Sequence, residues 1–420
     1  MHSKSVNGKK IAVVTYGYPL DVSMMLINSI TLLAETNRVD IIVSPLDSRH
    51  ARNPEWIREH FVFSPAVSRS FFYRALRRLS RELSSVAAFL SDTLAWRFQN
   101  LDLFCFSLWL KRRAAKEGYD IFIAVECYAL VAAETAARNH SLIYYNMELL
   151  DWKEEDMLYP DKKPLKKLEV KALRHVDRVM ITSPNRALIF GAMNTYPLER
   201  ISVLPIMPLG RQPITRSAYF REKFSIPEEK KIVLYAGSFQ PWAQCLDIIE
   251  SMDVWPEETV LVLHTHSNDE KTLKSDYYLR MCEAAEYREV YFSTDYLPYS
   301  ELGGALSSGD VGLLYYQDID ANFSEILFSS NKFGEYMAAG LPVICSPFPS
   351  LEAFVSKEGI GKSVPVEKIG EALKIILPHI DEYRHRVTQC LAEHFAFETH
   401  FAKAFEEYMA DRTDDIRNAR

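Results

Sequence analysis

Short runs of consecutive apolar residues alternate along the chain with longer stretches in which apolar side chains recur every three or four positions. KIAVVTY (10–16), RVDIIVS (38–44), YDIFIAV (119–125), SLIYYN (141–146), DRVMITS (177–183) and RISVLP (200–205) stay apolar through successive positions. A strand with one wet face alternates, so these unbroken runs predict parallel strands covered by helices on both sides. From Pro205 to about residue 229 the pattern lapses into Pro- and Gly-punctuated text that reads as a connector. The strand rhythm then resumes with KIVLYAG (231–237), TVLVLHT (259–265), REVYFS (288–293), DVGLLYY (310–316) and LPVICS (341–346). Beyond about Ile369 the spacing is helical to near the end. The expectation is two α/β domains, residues 1–208 and 209–385, with a C-terminal helix over 386–420 packing back on the first.

Length and composition narrow the function classes. A chain of 420 residues is long enough for two cores, and 48% apolar with 25% charged residues are globular proportions. The net charge of -7 argues against binding nucleic acid, whose phosphates demand an excess of Lys and Arg. Cys105, Cys127, Cys245, Cys282, Cys345 and Cys390 form no CxxC pair, so neither a zinc site nor a disulfide framework is expected. The start is polar and then strand-like, without an apolar leader. LDLFCFSLWL (101–110) is the longest greasy segment, half the roughly 20 residues a spanning helix needs. A cytoplasmic protein without transmembrane helices is the expectation.

One segment carries chemistry. In SSNKFGEYMAAGLPVICSP (329–347) a helix should start at the capping Ser330 and stop at Gly340, with Pro342 barring continuation. Lys332 then lies in the first turn, where free backbone NH groups and the helix dipole already favour an anion. Glu335, three residues on, shares its face, and a carboxylate there accepts two hydrogen bonds from a ribose diol. Together they suit a nucleoside diphosphate. By spacing alone, an ordinary surface Lys and Glu on an amphipathic helix fit equally well.

SSNKFGEYMAAGLPVI resembles the nucleotide-sugar-binding segment of family 4 glycosyltransferases of the GT-B fold. DIFIAVECYALVAA, LIYYNMELLDW, VDRVMITSPNRA, IVLYAGSF and LSSGDVGLL follow that family's order, so the likeness spans most of residues 10 to 405. The resemblance implies two Rossmann-like domains facing across a cleft, an acceptor domain first and a donor domain second. It implies transfer of a sugar from a nucleotide diphosphate sugar to a hydroxyl of a glycan or lipid-linked acceptor, as in polysaccharide assembly, usually with retention and without a bound metal or other cofactor. Glu335 would hold the ribose. Lys332, with backbone near Ser330, Asn331, Gly237 and Ser238, would hold the diphosphate. Two departures stand out: where many members have a glutamate eight residues before the ribose glutamate this chain has Leu327, and GSFQPWAQC (237–245) lacks the frequent Arg or Lys. A catalytically degenerate nucleotide or partner binder, and a sugar-nucleotide epimerase of similar architecture, are the alternatives.

Other candidates follow from position. TYGYPLDVS has the single glycine Gly17 and no GxGxxG, which disfavours a dehydrogenase. Gly17, Glu126 and Glu148 fall at carboxyl ends of strands, where open α/β sheets bind ligands. Either glutamate can orient or deprotonate an acceptor hydroxyl, or simply cap a helix. Tyr315, Tyr316 and the loop QDIDANFSE, with Asn322 and Glu325, are expected to border the donor sugar. His264 and His266 alternate on one strand, but without a third ligand they read as packed histidines. RSFFYRALRRLSREL (69–83) reads either as a basic amphipathic helix for peripheral contact with an anionic membrane, at its inner face, or as a helix covering the first sheet.

Overall fold

A computed structural model describes residues 6–17, 23–43, 59–62, 78–80, 82–84, 92–150, 162–265 and 270–418. The chain divides into two compact units, residues 1–205 with 398–420 and residues 206–397. The boundary expected at 385/386 falls inside a continuous helix, Ile380–His394.

In the first unit the strands are β1 (Lys10–Thr15), β2 (Arg38–Val43), β3 (Glu59–Val62), β4 (Ile121–Val125), β5 (Ser141–Asn146), β6 (Arg178–Ile181) and β7 (Ile201–Val203). They form one sheet in the order β3-β2-β1-β4-β5-β6-β7, each pair parallel. Strands β4 and β5 are buried throughout, as their unbroken apolar sequences require. Helices α1 (Met24–Ala34), α2 (Asp92–Gln99), α3 (Leu101–Glu117), α4 (Glu126–Ala133) and α5 (Lys162–Ala172) belong to this unit. The C-terminal helix Phe397–Asn418 returns to it, tied by the buried Arg178, which pairs with Glu407 and Asp411, and by Tyr408, whose hydroxyl donates to Ser141 Oγ at 2.7 Å.

The second unit repeats the plan with β8 (Lys231–Ala236), β9 (Thr259–His264), β10 (Val290–Ser293), β11 (Val311–Leu314), β12 (Val343–Cys345) and β13 (Gly361–Ser363). Its order, β10-β9-β8-β11-β12-β13, is again all parallel. Asp310 locks the connector to this sheet. Its buried carboxylate accepts from Ile232 N at 2.8 Å, Arg216 at 3.1 Å and Arg384 at 2.7 Å.

In both sheets the strand order reverses beside the first strand, between β1 and β4 and between β8 and β11. Such switch points open a crevice at the carboxyl ends of the strands, so each unit has one predetermined binding edge. No helix among the described residues is long and apolar enough to cross a membrane. Of the basic segment 69–83, residues 69–77 and Arg81 lie outside the described residues, as does His266.

Candidate functional site

The switch point of the second unit is built by the end of β8, the end of β11 and helix α6 (Asn331–Ala338). Ser330 caps α6 by accepting from Phe333 N at 3.2 Å, and Gly340 ends it with a φ of 70° that suits glycine. The helix is fixed to the sheet by Tyr336. Gly312 leaves the space for the ring, since a Cβ there would lie 2.6 Å from it. The buried Tyr336 hydroxyl accepts from Ala236 N at 2.8 Å and lies 3.2 Å from the carbonyls of both Leu234 and Leu313.

On this helix Lys332 is 6% exposed, with its ammonium 3.8 Å from the ring centre of Tyr235 and 4.7 Å from that of Tyr316. Its Nζ is buried and has no hydrogen-bond partner among the described residues. Gly237, directly after β8, makes this approach possible: a Cβ there would sit 3.0 Å from Lys332 Cε and 3.2 Å from Nζ. Burial pushes the Lys332 ammonium down from its ordinary 10.5 to about 7, against opposing pulls from Cys245 and Glu335. One turn on, burial pushes the Glu335 carboxyl up to about 7, against the pull of Lys332. On this helix face Lys332 is buried and Glu335 half-buried, and no salt bridge joins the two among the described residues. Aromatic faces favour the cation but supply no acceptor, so the ammonium's hydrogen-bonding capacity is unmet by the residues around it.

An aromatic wall adjoins the lysine. Trp242, on the loop after β8, stacks on Tyr316 with ring centres 6.1 Å apart, and Phe323 packs on both at 5.5 and 6.2 Å. Gln317 N donates to Trp242 O at 2.8 Å, and Tyr316 meets Ser330 Oγ at 2.8 Å. The wall therefore links the loop 238–244, the end of β11 and the cap of α6. The sequence singled out neither Tyr235 nor Trp242, and reached Phe323 only as part of the loop QDIDANFSE; a tyrosine on β8 and a tryptophan in the loop following it were the available signals.

The expected residues fall as follows. Ser238 is exposed and its carbonyl accepts from Tyr235 at 2.9 Å. Asn331 opens α6, and Asn322 and Glu325 flank Phe323 on the short turn capped by Asp320. Tyr315 corrects the expectation. Its side chain is 1% exposed in the core and its hydroxyl donates to Val364 O, because strand alternation turns it away from the edge that Tyr316 borders. Leu327 is half-buried, and the loop 237–245 offers Trp242 where a cation was missing. His264 is buried, with Nδ1 3.1 Å from Ser293 Oγ.

At the switch point of the first unit Gly17 turns with a φ of 72° after β1, and Glu126 follows β4. Glu126 has a φ of 66°, a strained value for a side chain of this size. Its Oε1 accepts from Met147 N at 2.8 Å and Glu148 N at 3.1 Å, while the buried Arg186 donates to Met147 O at 2.6 Å. Burial, then Glu148, pushes the Glu126 carboxyl well above its ordinary range, and those two amides oppose the shift. Glu126 thus pins the loop after β5, and Glu148 on that loop is exposed. Beneath them Lys166, Glu169 and Tyr144 form a buried network at 2.7 and 2.8 Å.

No family model matches the chain, and no curated protein does. Solved structures do match over almost the full length. Sucrose-phosphate synthase from Thermosynechococcus elongatus is 16% identical, covering 98% of this chain and 100% of its own, with a TM-score of 0.67. HepE from Anabaena in complex with UDP-glucose is 13% identical, covering 96% and 100%, with a TM-score of 0.65. A Listeria monocytogenes structure assigned as a UDP-N-acetylglucosamine 2-epimerase is 12% identical, covering 98% and 97%, with a TM-score of 0.57. At such identities the likeness is one of fold. The protein has the GT-B fold, two Rossmann-like parallel-sheet units with additional C-terminal helices.

Proposed function

We propose that the protein is a glycosyltransferase of the family 4 type that binds a nucleotide diphosphate sugar on its second unit and transfers the sugar, with retention, to a hydroxyl of a glycan or lipid-linked acceptor. Lys332 holds the diphosphate together with the amides that open α6, Glu335 holds the ribose diol, and the wall of Trp242, Tyr316 and Phe323 borders the sugar. In the reaction the bond between the anomeric carbon and the leaving phosphate oxygen breaks. The acceptor oxygen bonds to that carbon, and the acceptor proton leaves with the diphosphate. Glu126 acts as a positioning residue for the loop that carries Glu148, and Glu148 is the carboxylate available to orient an acceptor hydroxyl.

The observation that carries this reading is the buried Lys332 ammonium at the first turn of a capped helix, without a hydrogen-bonding partner among the described residues. A lone charge out of water is costly, and a phosphate supplies what it lacks. The fold neighbours whose structures contain UDP-glucose or other UDP-sugars support a nucleotide sugar as the ligand class. Fold alone does not select among transfer, epimerisation and binding, so the site carries the assignment. Calorimetric titration with UDP-glucose tests it: Lys332→Ala and Glu335→Ala should each raise Kd by roughly ten- to a hundredfold, the effect of removing a hydrogen bond to a charged group. Wild-type affinity in both variants would refute the site. Leu327 and the absence of a cation in 237–245 favour a second reading, a nucleotide-binding protein without transfer, which turnover of donor by the purified chain eliminates.

A further inference from the structure

The greasy segment 101–110 has no part in the donor site, yet it makes an unusual helix. Inward, Leu103, Phe106 and Leu110 of α3 are buried; outward, Phe104 is 49% and Leu108 43% exposed. One turn further the same outward face carries the exposed Lys111 and Arg112. Beside it runs a groove of about 130 Å³ whose lining includes Trp96 and Arg97 of α2, Phe104 of α3, and Leu168 and Lys171 of α5. Among the described side chains of α2, α3 and α5, each exposed charge is a cation: Arg97, Lys111, Arg112, Lys116, Lys167 and Lys171. The carboxylates are withdrawn. Asp102 is half-buried, Glu117 pairs with Lys10 and Arg113, Glu169 with Lys166, and Glu134 on the groove wall with Arg138.

A basic, apolar face on a chain of net charge -7 selects its partner by charge. A second copy fits poorly, because a two-fold contact brings the same cations against each other. We propose that this face of the first unit rests on an anionic lipid bilayer, with Phe104 and Leu108 in the interfacial region and Arg97, Lys111, Arg112 and Lys171 against headgroup phosphates. Apolar side chains ringed by cations are the composition that such surfaces bind, and neither element suffices alone. The inference is independent of the donor site, which lies on the other unit.

Cosedimentation of the full chain with vesicles tests it. Partition onto phosphatidylcholine vesicles containing about 30% phosphatidylglycerol should exceed that onto phosphatidylcholine alone by tenfold or more, and collapse between about 0.1 and 0.5 M salt. R97E with K171E, and separately F104S with L108S, should each reduce partition by about tenfold or more, since one basic residue alone is worth about fivefold. Melting temperatures within about 2 °C of wild type show that these surface changes leave the fold intact. Equal partition onto the two vesicle types overturns the proposal, as does wild-type binding by both variants. A solution dimer dissociated by F104S with L108S overturns it too, by assigning the face to a second copy.

Discussion

Affinity for a nucleotide sugar should depend steeply on pH, since both side chains assigned to the ligand change charge near neutrality in the empty site. Lys332 is pushed down to about 7 by burial, whereas a diphosphate attracts only the ammonium form. At about pH 7 roughly half the population is charged and by pH 9 about one per cent, so on this account the association constant should fall about fiftyfold, about 2.3 kcal/mol. Glu335 sets the other limb. Burial raises it to about 7, and a ribose diol donates to the carboxylate, so affinity should fall again as the group takes up its proton. The result is a bell with its maximum near neutrality, whose two limbs belong to the pair. Isothermal titration with UDP-glucose is the assay, because its diphosphate has no proton to lose in this interval. Lys332→Arg keeps the charge and should flatten the alkaline limb; Glu335→Gln should flatten the acid one. A wild-type Kd unchanged between about pH 7 and 9, or an alkaline limb that persists in Lys332→Arg, would show that the ammonium does not meet the ligand.

Three further outcomes are expected. Between about 7 and the ordinary 10.5 of lysine the unfolded chain binds more protons than the native one, so ligand-free stability attributable to Lys332 rises with pH; Lys332→Met should remove that slope and stabilise the protein at neutral pH by on the order of a few kcal/mol, read from urea midpoints. Gly237→Ala places a methyl 2.9 Å from the Tyr235 hydroxyl and 3.0 and 3.2 Å from Lys332 Cε and Nζ, so titration should show UDP-glucose binding weakened by roughly tenfold, with a stability loss of about 1–3 kcal/mol in chemical denaturation. Glu126→Ala frees the amides of Met147 and Glu148 and should cost about 1–3 kcal/mol in chemical denaturation while UDP-glucose still binds with wild-type Kd; an equal loss of binding would mean that Glu126 serves the donor.

The strands were legible because burial on both faces demands runs such as SLIYYN and TVLVLH, and these became β5 and β9 with every residue buried. The edges were not. Gly361–Ser363 becomes a strand only because β12 offers it a ladder, and its sequence GKS carries no apolar run. Glu59–Val62 likewise is four residues long at the far edge of its sheet. At the site, the helix and its cap could be read locally, since Ser330, Gly340 and Pro342 act within a few residues of themselves. Tyr315 shows the limit of such reading: it sits beside Tyr316 in the chain, yet the one-residue alternation sends it into the core. The faces of Tyr235 and Tyr316 around Lys332, and the amides taken by Glu126, come from segments 16 to 97 residues distant or 21 and 22 away, and are set by strand order rather than by local pattern.

The Tyr336 peg bears on how this protein can change over evolutionary time. Its ring fills the notch left by Gly312 and its hydroxyl is bonded among β8 and β11, so α6 cannot slide or roll without emptying a packed space and orphaning Ala236 N. The geometry that would grip a ligand is therefore frozen, while the neighbouring Ser238 and Gln240 and the residues around Asp318 lie exposed, outside that lock. On the proposed function, novel preferences for one sugar over another would have their cheapest route through those loops, with the grip itself inherited unaltered.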